Sequence, residues 1–136
     1  MYLLDTNILS EVVRRHPDAG VVRRLGENTS ASLFGSAVTR YELRYGAALR
    51  DDADDFWARI ADQLLPLVTW VPVTQAVAER AGVLAASLRR QGRPCGSLDP
   101  LLAATALEAG LILVTRNTRH FEPVPGIAVE NWFAAD

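Results

Sequence analysis

Four consecutive apolar residues, Leu111-Ile112-Leu113-Val114, stand between a helix-closing Gly110 and a polar Thr115. An apolar run with no alternation is the pattern of a strand covered on both faces, and such strands belong to parallel sheets flanked by helices. The rest of the chain supplies what that sheet requires. Residues 2–5, 33–36, 68–73 and 127–129 read as further short strands, with Pro72 at the end or edge of its own. Residues 8–15, 21–26, 38–49, 51–65, 75–90 and 97–109 read as helical pieces. In the 38–49 helix, Val38, Tyr41, Tyr45 and Leu49 recur at spacings of three or four. The 51–65 helix opens on Asp51, Asp52, Asp54 and Asp55, which suits the positive end of the helix dipole. The 75–90 helix carries an apolar face of Val77, Ala81, Leu84, Ala85 and Leu88, and Gln91-Gly92 stops it. Strands alternating with helices imply right-handed crossovers and an α/β class with helices on both sides of a mostly parallel sheet.

Composition narrows the function. A length of 136 residues fits one domain spanning 1–136. No stretch approaches the apolar length of a membrane span, the N-terminus has no secretory pattern, and the expectation is a cytoplasmic protein. The single cysteine, Cys95, excludes an intrachain disulfide and a multi-Cys zinc site. All fourteen basic residues are arginine, so mechanisms that need lysine are excluded. With a net charge of −2, binding to nucleic acid requires a local arginine patch, a metal, or both.

Ligands of open parallel sheets bind beyond the carboxyl ends of the strands. Asp5 follows the first apolar run, Ser36 closes the second strand with Glu42 on the helix after it, and Thr115 and Asn117 follow Leu111–Val114. Asp99 opens the helix that feeds this last strand. Carboxylates converging at one edge repel unless a cation or a proton intervenes, and hard divalent ions take oxygen ligands. The constellation reads as a small pocket for Mg²⁺ or Mn²⁺. Each member also has a local reading: Asp5-Thr6-Asn7 fits an Asx turn, and Asp99-Pro100 fits an N-cap with proline at the first helical position. His16 and His120 have nothing that brings them together for metal-free RNA cleavage, and Cys95 has no evident base.

The chain resembles the PIN-domain ribonucleases, and within them the VapC-like toxins of bacterial toxin–antitoxin pairs. Four segments carry the resemblance in order and spacing: Leu3-Leu4-Asp5-Thr6-Asn7; Ser36-Ala37-Val38-Thr39-Arg40-Tyr41-Glu42-Leu43; Cys95-Gly96-Ser97-Leu98-Asp99-Pro100-Leu101-Leu102-Ala103-Ala104-Thr105-Ala106; and Leu113-Val114-Thr115-Arg116-Asn117-Thr118-Arg119-His120-Phe121. The resemblance implies a three-layer α/β/α PIN-like domain and a Mg²⁺-dependent endoribonuclease, with Mn²⁺ a possible substitute. It places the family's acidic positions on Asp5, Glu42 and Asp99, and the fourth on Asn117, where many relatives carry Asp. His120 also occupies a place that is often acidic in relatives. Asp5 and Asp99 would hold the ion with Glu42 nearby, and Asn117 and Thr115 would add neutral contacts. Arg40, Arg44, Arg116 and Arg119 are candidates for phosphate or antitoxin contacts. The resemblance also implies a homodimer, an RNA substrate, and neutralisation by a cognate small antitoxin. The alternative is a PIN-like regulatory module that binds DNA with its antitoxin and has little nuclease activity. A phosphatase or receiver domain is excluded by the absence of lysine and of Asp-x-Asp.

Overall fold

A computed structural model describes residues 1–94 and 96–134. The chain runs β1 (Tyr2–Leu4), α1 (Thr6–Leu9), α2 (Ala19–Gly26), β2 (Leu33–Ser36), α3 (Ala37–Ala48), α4 (Ala53–Gln63), β3 (Thr69–Val71), α5 (Gln75–Arg90), α6 (Asp99–Ala109), β4 (Ile112–Val114) and β5 (Val129–Glu130). Short 3-10 turns cover Ser10–Val13, Leu65–Leu67 and Thr118–Phe121. The strands form one sheet in the order β3-β2-β1-β4-β5, and all four pairings are parallel.

Alternation along each strand divides the core into two layers. Leu4 and Val114 face a cluster with Ile8, Leu9, Val21, Leu43, Ile60 and Trp132, which draws on α1 to α4. Leu3 and Leu113 face the opposite cluster, with Leu88, Leu102, Ala106 and Phe121 from α5, α6 and the last 3-10 turn. The sheet lies between these layers, which gives the expected three-layer α/β/α arrangement.

Several boundaries differ from the sequence reading, each for a local reason. The helix expected over 8–15 is one α turn, capped early by Asp5, that tightens into a 3-10 turn. Buried Glu11 ends it by accepting from the Asp18 amide and the Arg14 guanidinium, both at 2.9 Å. The acidic helix starts at Ala53 because Arg50 engages the Asp52 carboxylate at 2.7 and 3.0 Å, leaving no side-chain cap. The 97–109 helix starts at Asp99. The last strand begins two residues late, where Leu113 and Thr115 amides reach the Ala128 and Glu130 carbonyls. Pro72 does sit beyond the end of an edge strand. In α3 the buried residues are Val38, Thr39, Leu43 and Ala47, while Tyr41, Tyr45 and Leu49 face outward. Among the described residues no helix is long and apolar enough to cross a membrane.

Candidate active site

The strand order creates a switch point. From β1 the chain steps outward through β2 to β3, then returns to place β4 on the other side of β1. Parallel sheets open a crevice at the carboxyl ends of such strands. Asp5 and Thr115 stand there, one residue beyond β1 and β4, and the Asp5 amide donates to the Val114 carbonyl at 2.9 Å.

Asp5 is only 8 % exposed, and its carboxylate is held from three sides. Oδ1 accepts from the Thr6 amide at 2.7 Å. Oδ2 accepts from the Thr115 hydroxyl at 2.8 Å and the Asn7 side-chain amide at 3.3 Å. Asp5-Thr6-Asn7 therefore forms the local turn expected of it, with Asp5 capping α1, and the Asp5 carboxylate is held in a fixed orientation. Asn7 also accepts from the Arg116 amide at 3.1 Å, which fastens the loop after β4 to the loop after β1.

Glu42 projects from α3, and its Oε1 accepts from the Thr6 hydroxyl at 2.8 Å. Ser36, at the same edge, caps α3 through the Val38 amide at 3.1 Å. Asp99 is the first residue of α6 rather than its cap, so its carboxylate is not spent on the helix terminus. Asp99 Oδ2 meets the Gly96 amide and His120 Nδ1, each at 3.3 Å. A Cβ on Gly96 would stand 3.1 Å from that oxygen, so glycine permits the approach.

Burial pushes the Asp5 carboxyl above its ordinary value, three hydrogen bonds oppose it, and the charge of Asp99 adds to the rise. Burial likewise raises Glu42, opposed by the Thr6 hydroxyl and reinforced by the charges of Asp5 and Asp99. These carboxyls feel one another, and the site favours whatever neutralises them.

Among the described residues no three His, Cys, Asp or Glu side chains close around a common point as a cage. The donor set nonetheless suits Mg²⁺, which keeps several waters and is bound through one or two carboxylates. Asp5 and Asp99 are the two carboxylates that could hold such an ion.

The fourth expected site residue, Asn117, is exposed and joins the cluster through its backbone: its amide donates to the Thr115 hydroxyl at 3.0 Å. Its side chain lines a cavity with Arg116, Thr118, Arg119 and His120. Three of the four arginine candidates carry their guanidinium over an aromatic ring. Arg40 stacks over Trp70 and Arg44 over Trp57, because an aromatic face on the neighbouring elements attracts each guanidinium. Arg116 places its guanidinium 4.4 Å over Phe133, and Arg119 lines the cavity beside Asn117 and His120. His16 lines a separate cavity with Arg14 and Phe56, apart from His120. Cys95 lies outside the described residues. The sequence reading gave no role to the side chains of Thr6 and Asn7, although their place directly after a strand's terminal Asp was a visible signal.

A PIN-domain family model matches residues 2–126. The chain is 35 % identical over 131 residues to the tRNA(fMet)-specific endonuclease VapC of Shigella flexneri, covering 96 % of this chain and 97 % of that protein. It is 32 % identical over 126 residues to Toxin FitB of Neisseria gonorrhoeae, covering 89 % and 91 %. The crystal structure of DNA-bound VapBC from Salmonella typhimurium superposes with a TM-score of 0.87 at 30 % identity, covering 96 % of this chain and 97 % of that one.

Proposed function

We propose that this chain, which belongs to the PIN-domain family and is an endoribonuclease of the toxin type, hydrolyses RNA phosphodiester bonds with one Mg²⁺ held chiefly by Asp5 and Asp99. The observation that carries the reading is Asp5. It is a buried carboxylate, oriented by three donors, and pressed toward protonation by burial and a second acid at the switch point of the sheet.

A divalent cation bound there supplies two things: a bound water of lowered pKa and neutralisation of charge building on the phosphoryl oxygens. Mn²⁺ can substitute for Mg²⁺. The chain's own residues set the geometry. Thr115, Asn7 and the Thr6 amide fix the Asp5 carboxylate, and Gly96 and His120 fix that of Asp99. Glu42, fixed by Thr6, serves as a further ligand or orients the attacking water. Asn117 contributes a neutral oxygen at the rim of the same crevice.

A small antitoxin is the partner, and it silences the site by presenting a cationic side chain to the acidic pocket. The protein acts in the cytoplasm as a homodimer, which light scattering checks. DNA binding belongs to the toxin–antitoxin complex, a reading favoured by the DNA-bound Salmonella complex. A purely regulatory role without cleavage predicts that the purified chain leaves RNA intact.

The test is cleavage of total RNA, with bulk tRNA included because the Shigella relative is specific for a tRNA. Asp5→Asn and Asp99→Asn each remove a ligand charge and little volume, and each should abolish cleavage, as should chelation of the wild type. Products should carry 5′-phosphate and 3′-hydroxyl ends. Full activity in excess chelator, or 2′,3′-cyclic phosphate ends, refutes the mechanism.

A further inference from the structure

Beside Asp99 lies a cavity of about 300 Å³ that the carboxylate chemistry does not use, lined by Arg93, Pro94, Gly96, Arg119, His120 and Pro123. Two of its walls, Gly96 and His120, are the groups that contact Asp99 Oδ2. The cavity therefore lies next to Asp99. Arg119 and His120 also line the adjoining cavity of about 260 Å³ that contains Arg116 and Asn117.

The cations are placed by fixed backbone. Arg93 follows α5 through a Schellman closure: Gly92 sits at φ +70, its amide donates to the Arg89 carbonyl at 3.0 Å, and the Arg93 amide donates to the Leu88 carbonyl at 2.9 Å. Leu88 is itself core, 1 % exposed. Arg119 belongs to the 3-10 turn that Phe121 anchors in the core. Among the described residues neither guanidinium has a carboxylate partner, whereas Arg14, Arg23, Arg24, Arg50 and Arg80 are all paired. Two arginines with charge to spare face one concavity in a chain of net charge −2.

We propose that the cavity between Arg93 and Arg119 is the subsite for the RNA phosphate adjacent to the one that is cut. The proposal rests on the ribonuclease reading above. RNA presents a row of phosphates, so one can sit at Asp5 and Asp99 with their cation while the next meets the guanidinium forks, which match phosphate oxygens in geometry. The antitoxin's cationic side chain is drawn to the carboxylates and repelled from this cavity by the two arginines, which favours RNA as the cavity's occupant.

Binding of a short fluorescein-labelled single-stranded RNA, followed by anisotropy in chelator over a range of salt, separates the cases. Arg93→Gln and Arg119→Gln should each weaken binding roughly two- to fivefold, the range of an exposed ion pair. Each should also flatten the plot of log affinity against log salt by about 0.7, the share of one phosphate on a single strand. In cleavage, KM should rise while kcat stays within about twofold, because the contact is made in ground and transition states alike. Arg93→Lys should restore most of the salt slope. Arg23→Gln, on the distant α2, is the control. An unchanged slope and KM in both variants overturns the proposal while leaving the ribonuclease reading intact. Variants that keep the RNA slope but lose antitoxin affinity assign the cavity to the antitoxin and also overturn it. A wild type that neither binds nor cuts RNA brings down the ribonuclease reading itself, and the subsite with it.

Discussion

Two threonines, Thr115 and Thr39, are both 0 % exposed, and replacing each with valine should move stability in opposite directions. Valine matches threonine in shape, so neither change opens a cavity, and the two residues have similar helix propensity at position 39. The Thr115 hydroxyl donates to Asp5 Oδ2 at 2.8 Å and accepts from the Asn117 amide at 3.0 Å. A hydrogen bond to a charged group contributes about 1.5–3 kcal/mol, and a neutral one about 1 kcal/mol. Thr115→Val should therefore cost about 3 kcal/mol, or a fall in Tm of about 12 °C for a chain of this size. The Thr39 hydroxyl is buried with no partner. Removing it relieves a desolvation cost, so Thr39→Val should be neutral or stabilising by up to about 1 kcal/mol, a rise in Tm of up to about 4 °C. Thermal unfolding in chelator, followed by circular dichroism, measures both. Cleavage should fall in Thr115→Val, which frees the Asp5 carboxylate to turn, and persist in Thr39→Val. Variants within about 1 kcal/mol of each other would show that hydrogen bonding at Thr115 is not what distinguishes the two sites.

The raised carboxyls of Asp5 and Glu42 give a pH signature in metal-free protein. Their stabilising contribution is fully present below their ordinary values of about 4 and is lost as pH rises through the raised ones. The Tm of Asp5→Asn minus that of wild type should therefore grow as pH rises toward neutrality, and added Mg²⁺ should shrink the difference; a difference that falls with pH contradicts the site electrostatics. Asn117→Ala should weaken metal binding less than Asp99→Asn in calorimetric titration, since it deletes a neutral contact, while Asn117→Asp should tighten it; equal losses for the first two make Asn117 a primary ligand. Gly35→Ala should destabilise by about 1–3 kcal/mol in denaturant melts, the usual cost of overpacking. Its Cβ would come within 2.7 Å of Trp70 Cζ3 and 3.0 Å of Val68 Cγ2. A melt indistinguishable from wild type would mean that Trp70 yields freely.

Pattern within the chain determined the class of this protein. The run Leu111–Val114 can only be buried on both faces, the Gln91-Gly92 and Gly110 stops close α5 and α6, and acids placed after strands and at helix starts give the edge its carboxylates. These signals are local: each is settled by neighbours within a few residues. The tertiary structure decided what distance along the chain conceals. Thr115 reaches Asp5 across 110 positions because β4 returns to pair with β1, and strand order depends on how whole crossover layers pack rather than on any one segment. The same packing turned α3. Val38, Tyr41, Tyr45 and Leu49 form a regular apolar stripe, yet only Val38 of these is buried, together with Thr39, Leu43 and Ala47, and the two tyrosines and Leu49 stay exposed. Arg40 and Arg44 went to Trp70 and Trp57. An arginine is long enough to choose among neighbours, and which neighbour it finds is known only once the helices are in place.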